Sequence, residues 1–429
     1  MSDRFGLPSL AMMLGFALVL LTAPAKALTV PPGGDIQLAI NQIHPGGVIH
    51  LAGSHYSVSD IIEIDKDVGI VGLPSGTQID FSSISYFLVE NGASAGFENL
   101  DISSEWFSSI YNSYGGLVTV RDCSITGLGN RAAIRSYRSL ELRVQNTIFQ
   151  DAGFESLLTD VTRVNDVEIR NTGNSIYFFR IEGGRNSSSL PTAFVNRMTA
   201  DELWSFEMEN VEATIENVAV RSIFNADLVN GEFTVRNSTF MSGAGDGSVF
   251  SVELSNITNS LISNSLLLPS TRMRNANPTM IETYSESCDP FSSCPGLQFQ
   301  PLGNLVDPGT LEPMGHSIDG GDPAACTAAG PRDAQGNNRF VGPSCDLGGL
   351  EGGYVLRPVY EVDSELEFPS DLAEVLAQPE RPRLNLLCDP EAIVWPSERN
   401  CLCRRGEDLV WVGTPGCEVC DRGECGVSQ

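Results

Sequence analysis

The residues best suited to chemistry in this chain are a handful of charged and aromatic side chains near its middle. Arg135, Tyr177, Arg180, Trp204, Glu207 and Asp227 lie within stretches such as YFFR (177–180) and WSFEME (204–209). Tyrosine and tryptophan rings stack on sugar rings, an arginine pairs with a uronate carboxylate, and acids accept hydrogen bonds from hydroxyls. These six are therefore the candidate glycan-contacting residues. A Glu207 base with Arg180 as charge stabiliser would be the catalytic form of the same idea. The stretch WFSSIYNSY (106–114) is read as a second insertion rich in exposed aromatics.

Other chemistries are poorly supplied. The four histidines, His44, His50, His55 and His316, have no serine or repeat-borne acid beside them, which argues against a His-dependent hydrolase. No catalytic residue is assigned, and no cofactor or metal is expected. With 54 acidic and 26 basic residues the formal charge is −28, a surface that repels nucleic acid and anionic membranes. The expected partner is a polysaccharide or cell-surface glycan; the oligomeric state is left open.

Side chains far apart in sequence share a face only if the backbone repeats, and it does. An apolar residue, any residue, Asn or Asp, two further residues and another apolar residue recur as FENLDI (97–102), VRDCSI (120–125), VQNTIF (144–149), VNDVEI (164–169), IENVAV (215–220), VRNSTF (235–240) and ITNSLI (257–262). The polar members are Asn99, Asp122, Asn146, Asp166, Asn217, Asn237 and Asn259, at gaps of 23, 24, 20, 51, 20 and 22 residues. The gap of 51 fits two turns with an insertion, the intervening copy being VNRMT (195–199) with Arg197 at the Asn position. Second apolar strands are expected near Ile134, Leu158, Phe178, Leu228 and Phe250.

Short strands at this period, with no long helical pattern between them, describe a parallel β-coil whose turns stack about 4.8 Å apart on one continuous core. Asn and Asp suit the corners because they tolerate left-handed backbone and bond to nearby backbone groups, so the ladder is structural. In-register stacking would then carry Arg135, Arg180, Glu207 and Asp227 on one outer face. Leucine-rich repeats share the period but need a different leucine pattern.

The ends have their own signatures. Residues 1–27 read as a secretory signal: Arg4, an apolar run from Leu10 to Leu21, and a small-residue exit with cleavage after Ala27. That run is too short to be kept as a membrane span, and no later stretch reaches the length of one. An amphipathic helix over Gly34–Ile43 with Asp35 at its N-cap precedes the strands PGGVIHL (45–51), SVSDIIEI (57–64) and VGIVG (68–72).

This opening resembles the pectate-lyase-like β-helix superfamily, in which a helix plugs the barrel ahead of such a strand. The resemblance spans roughly residues 33 to 265 and implies a right-handed parallel β-helix. Its polygalacturonase-like hydrolases carry N-T-D, D-D, G-H-G and R-I-K, and its pectate lyases W-x-D-H and R-x-P-x-x-R; none occurs here. The resemblance thus implies the scaffold and brings no catalytic residues.

Towards the other end, SIDGGD (317–322), Cys326, RDAQG (332–336), Arg339 and CDLGGLE (345–351) resemble the choice-of-anchor Q module of bacterial extracellular β-helices. It implies a secreted or outer-surface bacterial protein.

Ten of the eleven cysteines follow residue 287. Cys326 and Cys345 are expected to bridge, Cys288 and Cys294 to close a small loop, and Cys123 to be a buried apolar residue. Cys388, Cys401, Cys403, Cys417, Cys420 and Cys425 suit a small module of three disulfides, with zinc at 401/403 and 417/420 as the alternative.

The whole is expected to be all-β: a signal peptide (1–27), an N-terminal cap with the first turns (28–80), a right-handed parallel β-helix solenoid (81–310), a terminal segment (311–356), an acidic linker (357–385) and a C-terminal cysteine-rich module (386–429). The function expected is a non-catalytic scaffold or adhesin contacting glycans. The alternative is a polysaccharide lyase or glycoside hydrolase.

Overall fold

The apolar repeat folds as a parallel β-solenoid of about nine turns. The computed structural model describes residues 26–351 except 83, 105–107, 128–131, 171–177, 185–189, 243–250, 258, 269, 286, 289–291, 302–304, 308–309 and 340–343. It also describes the backbone of 242, 251, 402–405, 408–411, 419–421 and 424–426. Residues 1–25 of the signal-peptide reading and the acidic linker fall outside these residues, as do Tyr177 and Phe250; Ala27, the last residue of that reading, opens the strand Ala27–Val30, which pairs with Gly47–Leu51.

Each full turn contributes to three parallel sheets. The first runs through Gly47–Leu51, Val68–Val71, Ala95–Glu98 and Leu117–Arg121 into the opening halves of Glu141–Gln150, Val161–Arg170, Thr192–Ala200 and Glu212–Val229. The second includes Thr77–Phe81, Leu100–Ser104, Ser124–Gly127 and the closing halves of those long strands. The third contains Phe87–Val89, Ile110–Ser113, Ala132–Tyr137, Gly153–Leu157, Phe178–Glu182, Leu203–Glu209, the end of Glu212–Val229, Ser251–Ser255 and Ser270–Arg274.

Inward residues stack in columns. Ile110, Ile134, Phe154, Phe179 and Phe206 occupy one position on successive turns and are fully buried. The rings of Phe154, Phe179 and Phe206 lie nearly parallel, with centroids 4.8 and 5.1 Å apart, the spacing that the backbone pitch imposes. Phe179, not Phe178, is the inward residue of its turn, and Leu158 sits on a corner rather than mid-strand. Part of the expected aromatic insertion at 106–114 is the third-sheet strand Ile110–Ser113.

The corner between the first two sheets is the expected left-handed ladder. Asn99, Asp122, Asn146, Asp166, Arg197, Asn217 and Asn237 have φ between 44° and 55°. Asn146 donates to Asp122 at 2.6 Å and Arg197 clamps Asp166 with Nε and Nη2. One member needs correction. Ile262 pairs with Val235, so the next ladder residue is Asn264 (φ 46°) and not Asn259. Asn259 also has positive φ, but it precedes the strand and its amide donates to Glu232 at 2.9 Å. The sequence ITNSLISNSLL (257–267) offers two overlapping copies of the motif, 257–262 and 262–267, and packing selects the second.

The helix Ile36–Gln42 covers the first turn, with Asp35 accepting from the Leu38 amide and Ile36, Ala39 and Ile40 buried. Far along the solenoid, the described residues between 305 and 351 form a strap on the outer surface of the second sheet. Leu305, Val306, Leu311, Ala334, Leu347 and Leu350 build a second apolar core there against Ala219, Met241, Leu266 and Leu268. Gly348 (φ 95°) and Gly349 let it lie flat, since a Cβ on either would come within 2.3 Å of Thr239 Oγ1 or the Val218 carbonyl.

Disulfides join Cys288 to Cys294 and Cys326 to Cys345. Cys123 is free and buried, and burial pushes its thiol up to about 12, which leaves it inert.

The chain divides into two units, Met1–Val362 and Asp363–Gln429. In the second, Leu402–Arg405 pairs antiparallel with Asp408–Trp411, and Val419–Asp421 with Glu424–Gly426, setting Cys420 opposite Cys425 along the backbone.

Candidate functional site

Parallel register decides what the third sheet presents to solvent. Tyr111, Arg135, Glu155, Arg180, Glu207, Asp227, Glu253 and Arg272 are successive partners in one outward column, each about 4.8 Å from the next. Four of the six sequence candidates, Arg135, Arg180, Glu207 and Asp227, thus stand in a single file. Glu155, Glu253 and Arg272 join them. Their signal was available, since Glu155 lies one repeat after Arg135, and Glu253 and Arg272 follow Asp227 at repeat-like spacing.

The column is largely self-paired. Arg135 Nε lies 3.0 Å from Glu155; Arg180 reaches Glu182 at 2.7 Å and Glu207 at 3.3 Å; Arg272 and Arg274 approach Glu253 at 3.6 and 3.7 Å. Arg180 is therefore already neutralised from two sides, which weakens it as a receptor for a substrate carboxylate. Asp227 has no ion pair of this kind and takes a hydrogen bond from the Asn225 amide. Burial raises its carboxyl to about 6, with the neighbouring Glu253 and Glu207 charges adding to the rise and Asn225 and Arg272 opposing it.

Trp204 lies three residues before Glu207, about 10 Å along the strand. Trp204 is 44% exposed and its ring stacks on Phe224, with centroids 4.0 Å apart and planes at 7°. Phe224 stands in the same relation to Asp227, so one pair of turns carries both the aromatic platform and two carboxylates. Phe224 was missed in the sequence, although its spacing of 20 residues from Trp204 is the repeat length.

The strap's motif residues serve its own packing. Arg339 is fully buried, donating from Nη2 to Asn217 Oδ1 at 2.8 Å and more weakly to the carbonyls of Arg332, Gly348 and Gly349, with Glu351 3.8 Å away. Asp333 accepts from the amides of Gln335, Asn337 and Glu351. Ladder residue Asn264 accepts from the Asp322 amide and donates to its carbonyl, at 2.7 and 3.1 Å. The ladder thus acts as the strap's mooring as well as a turn device.

Among the described residues there is no group of three His, Cys, Asp or Glu arranged to hold a metal, and no helix long and apolar enough to cross a membrane. Fold and register define the chain as a parallel β-solenoid protein with a charged, partly aromatic outer file. No protein-family profile matches it, and no curated protein is significantly similar.

Proposed function

We propose that this is a secreted or cell-surface scaffold of the pectate-lyase-like kind that contacts glycans without transforming them, with residues 311–356 serving as a choice-of-anchor Q-like terminal segment. The observation carrying the reading is the exposed, coplanar Trp204–Phe224 pair on the same two turns as Glu207 and Asp227. A flat aromatic surface beside carboxylate acceptors suits a hydroxyl-rich pyranose, the ring stacking while its hydroxyls donate. Because Arg180 is engaged by Glu182 and Glu207, this face favours neutral sugars over uronates. The same engagement counts against Glu207 as a catalytic base with Arg180 as its stabiliser.

Affinity electrophoresis in gels containing neutral β-glucans, xylan or mannan tests it. Retention on at least one polymer is expected, lost in Trp204→Ala and reduced in Glu207→Gln. Equal mobility of all three proteins on every polymer would overturn it. New reducing ends, or unsaturated uronates detected by ultraviolet absorbance, would move the protein to the hydrolases or lyases.

A further inference from the structure

A different corner of the solenoid holds a groove that the glycan-contacting face does not use. It has a volume of about 450 Å³ and is lined by Tyr114, Arg138, Ser139, Leu140, Leu158 and Asp160, together with Gly92 and Gly115. It lies where the third sheet turns into the first.

Three observations set this corner apart. The first is backbone conformation. Most turns place a left-handed residue here; Gly183, on the turn after Leu158, is an exception, and the left-handed residues outside the groove are asparagines: Asn91, Asn210, Asn230, Asn256 and Asn275, with φ between 48° and 58°. On the three turns that form the groove it is instead Tyr114 (57°), Arg138 (51°) and Leu158 (57°). Large side chains are strained in this region while asparagine tolerates it, so these turns hold strain that the repeat's usual residue would relieve.

The second is charge. Every other arginine described between residues 26 and 301 is ion-paired with a carboxylate. Arg138 is not. In a chain of net charge −28 its guanidinium instead lies over the rings of Tyr114 and Tyr137, 5.7 and 5.2 Å from their centroids, and donates to the Tyr114 hydroxyl at 3.0 Å. A planar cation braced by two aromatic rings and lacking an anion is a preformed carboxylate receptor.

The third is the rest of the lining. Tyr114 and Leu140 are 53% and 63% exposed, and Asp160 stands in the same groove without pairing to Arg138. The site therefore offers one cation, one carboxylate and apolar walls.

We propose that this groove binds the carboxylate end of a peptide whose last residue is apolar. Arg138 takes the terminal carboxylate, Tyr114, Leu140 and Leu158 hold the last side chain, and Asp160 accepts a backbone N–H. A polyuronate fits less well, because its further carboxylates would face Asp160 and its hydroxyl rim would leave the leucines unused.

The test uses the full chain, with N-acetyl-Ala-Ala-Phe as probe, its C-terminal amide and digalacturonate as comparisons, and binding followed by NMR line broadening of each small molecule. Arg138→Asn is the chosen variant, since asparagine occupies this position on five other turns and the fold is kept. Saturable binding of the acid is expected, at least tenfold weaker for the amide and for Arg138→Asn, unchanged in Trp204→Ala, and accompanied by a higher melting temperature in Arg138→Asn as strain is released. Equal binding of acid and amide, equal binding by Arg138→Asn, preference for digalacturonate, or no saturation by about 10 mM would each overturn the proposal. None of these outcomes touches the Trp204 face, whose own test stands separately.

Discussion

Replacing Arg339 by methionine should release the strap while sparing the solenoid beneath it. The guanidinium is fully buried, and methionine fills similar volume, so the effect is electrostatic more than a cavity. Removal leaves Asn217 Oδ1 and three carbonyls short of a donor, and leaves Asp333, Asp346 and Glu351 crowded without their cation. Breaking one side of a buried charge cluster costs about 3–5 kcal/mol. That is comparable to what a short peripheral segment holds, and solenoid turns lend one another little stability beyond nearest neighbours. Hydrogen exchange read by mass spectrometry should show amides of 317–351 losing protection by roughly 10²- to 10³-fold, taking about 1.4 kcal/mol per decade. Peptides covering 141–200 should exchange as before. Protection of the strap within tenfold of the parent, or loss of protection throughout, would refute this account of Arg339.

Burial, with the nearby Asp346 charge, raises the Glu351 carboxyl to about 8, so the folded strap holds a proton that the unfolded chain releases near the ordinary glutamate value. Its stabilisation is complete below pH ~4.5 and is lost as pH rises through 8; strap exchange should quicken from pH 6 to 9 beyond the intrinsic rate, and Glu351→Gln should flatten the excess. Asp227 is also raised, to about 6, and ionises there between Glu207 and Glu253, so Asp227→Asn should raise the melting temperature at pH 8 and leave it nearly unchanged at pH 4. Phe179→Ala, opening the parallel ring stack, should cost about 3–5 kcal/mol, with exchange rising first in 153–157 and 203–209. Replacing both Cys326 and Cys345 by serine should cost about 3 kcal/mol by the chain-entropy argument, seen as earlier melting of the strap.

The period of the Asn motif was enough to place the sheets, the ladder and the shared face of Arg135, Arg180, Glu207 and Asp227, because parallel register turns sequence spacing directly into spatial neighbours. It failed where two registers were locally equal. Residues 257–262 and 262–267 both satisfy the motif, and only the pairing of Ile262 with Val235 separates them. Ion pairing was hidden for a different reason. The partner of Arg180 within its own strand, Glu182, is two residues on, and alternation in a strand puts both outside, yet whether a side chain bends toward its neighbour depends on what else surrounds it. The groove at Arg138 was illegible because its defining property is the absence of a carboxylate that every other described solenoid arginine has found. The strap's seat was hidden because the outward leucines at 266 and 268 read as ordinary strand residues until something covers them.

Stacking at a fixed pitch makes the outer file a ruler with evenly cut marks. A flexible polymer laid along it has a repeat of its own, and two rulers of unequal division coincide only over a short span before drifting out of step. Contacts that match at Trp204 and Phe224 would be out of phase a few turns away. Under the proposed glycan-contacting role, lengthening such a ligand would therefore bring little further gain in affinity, and tighter attachment would come from several copies of the protein acting together.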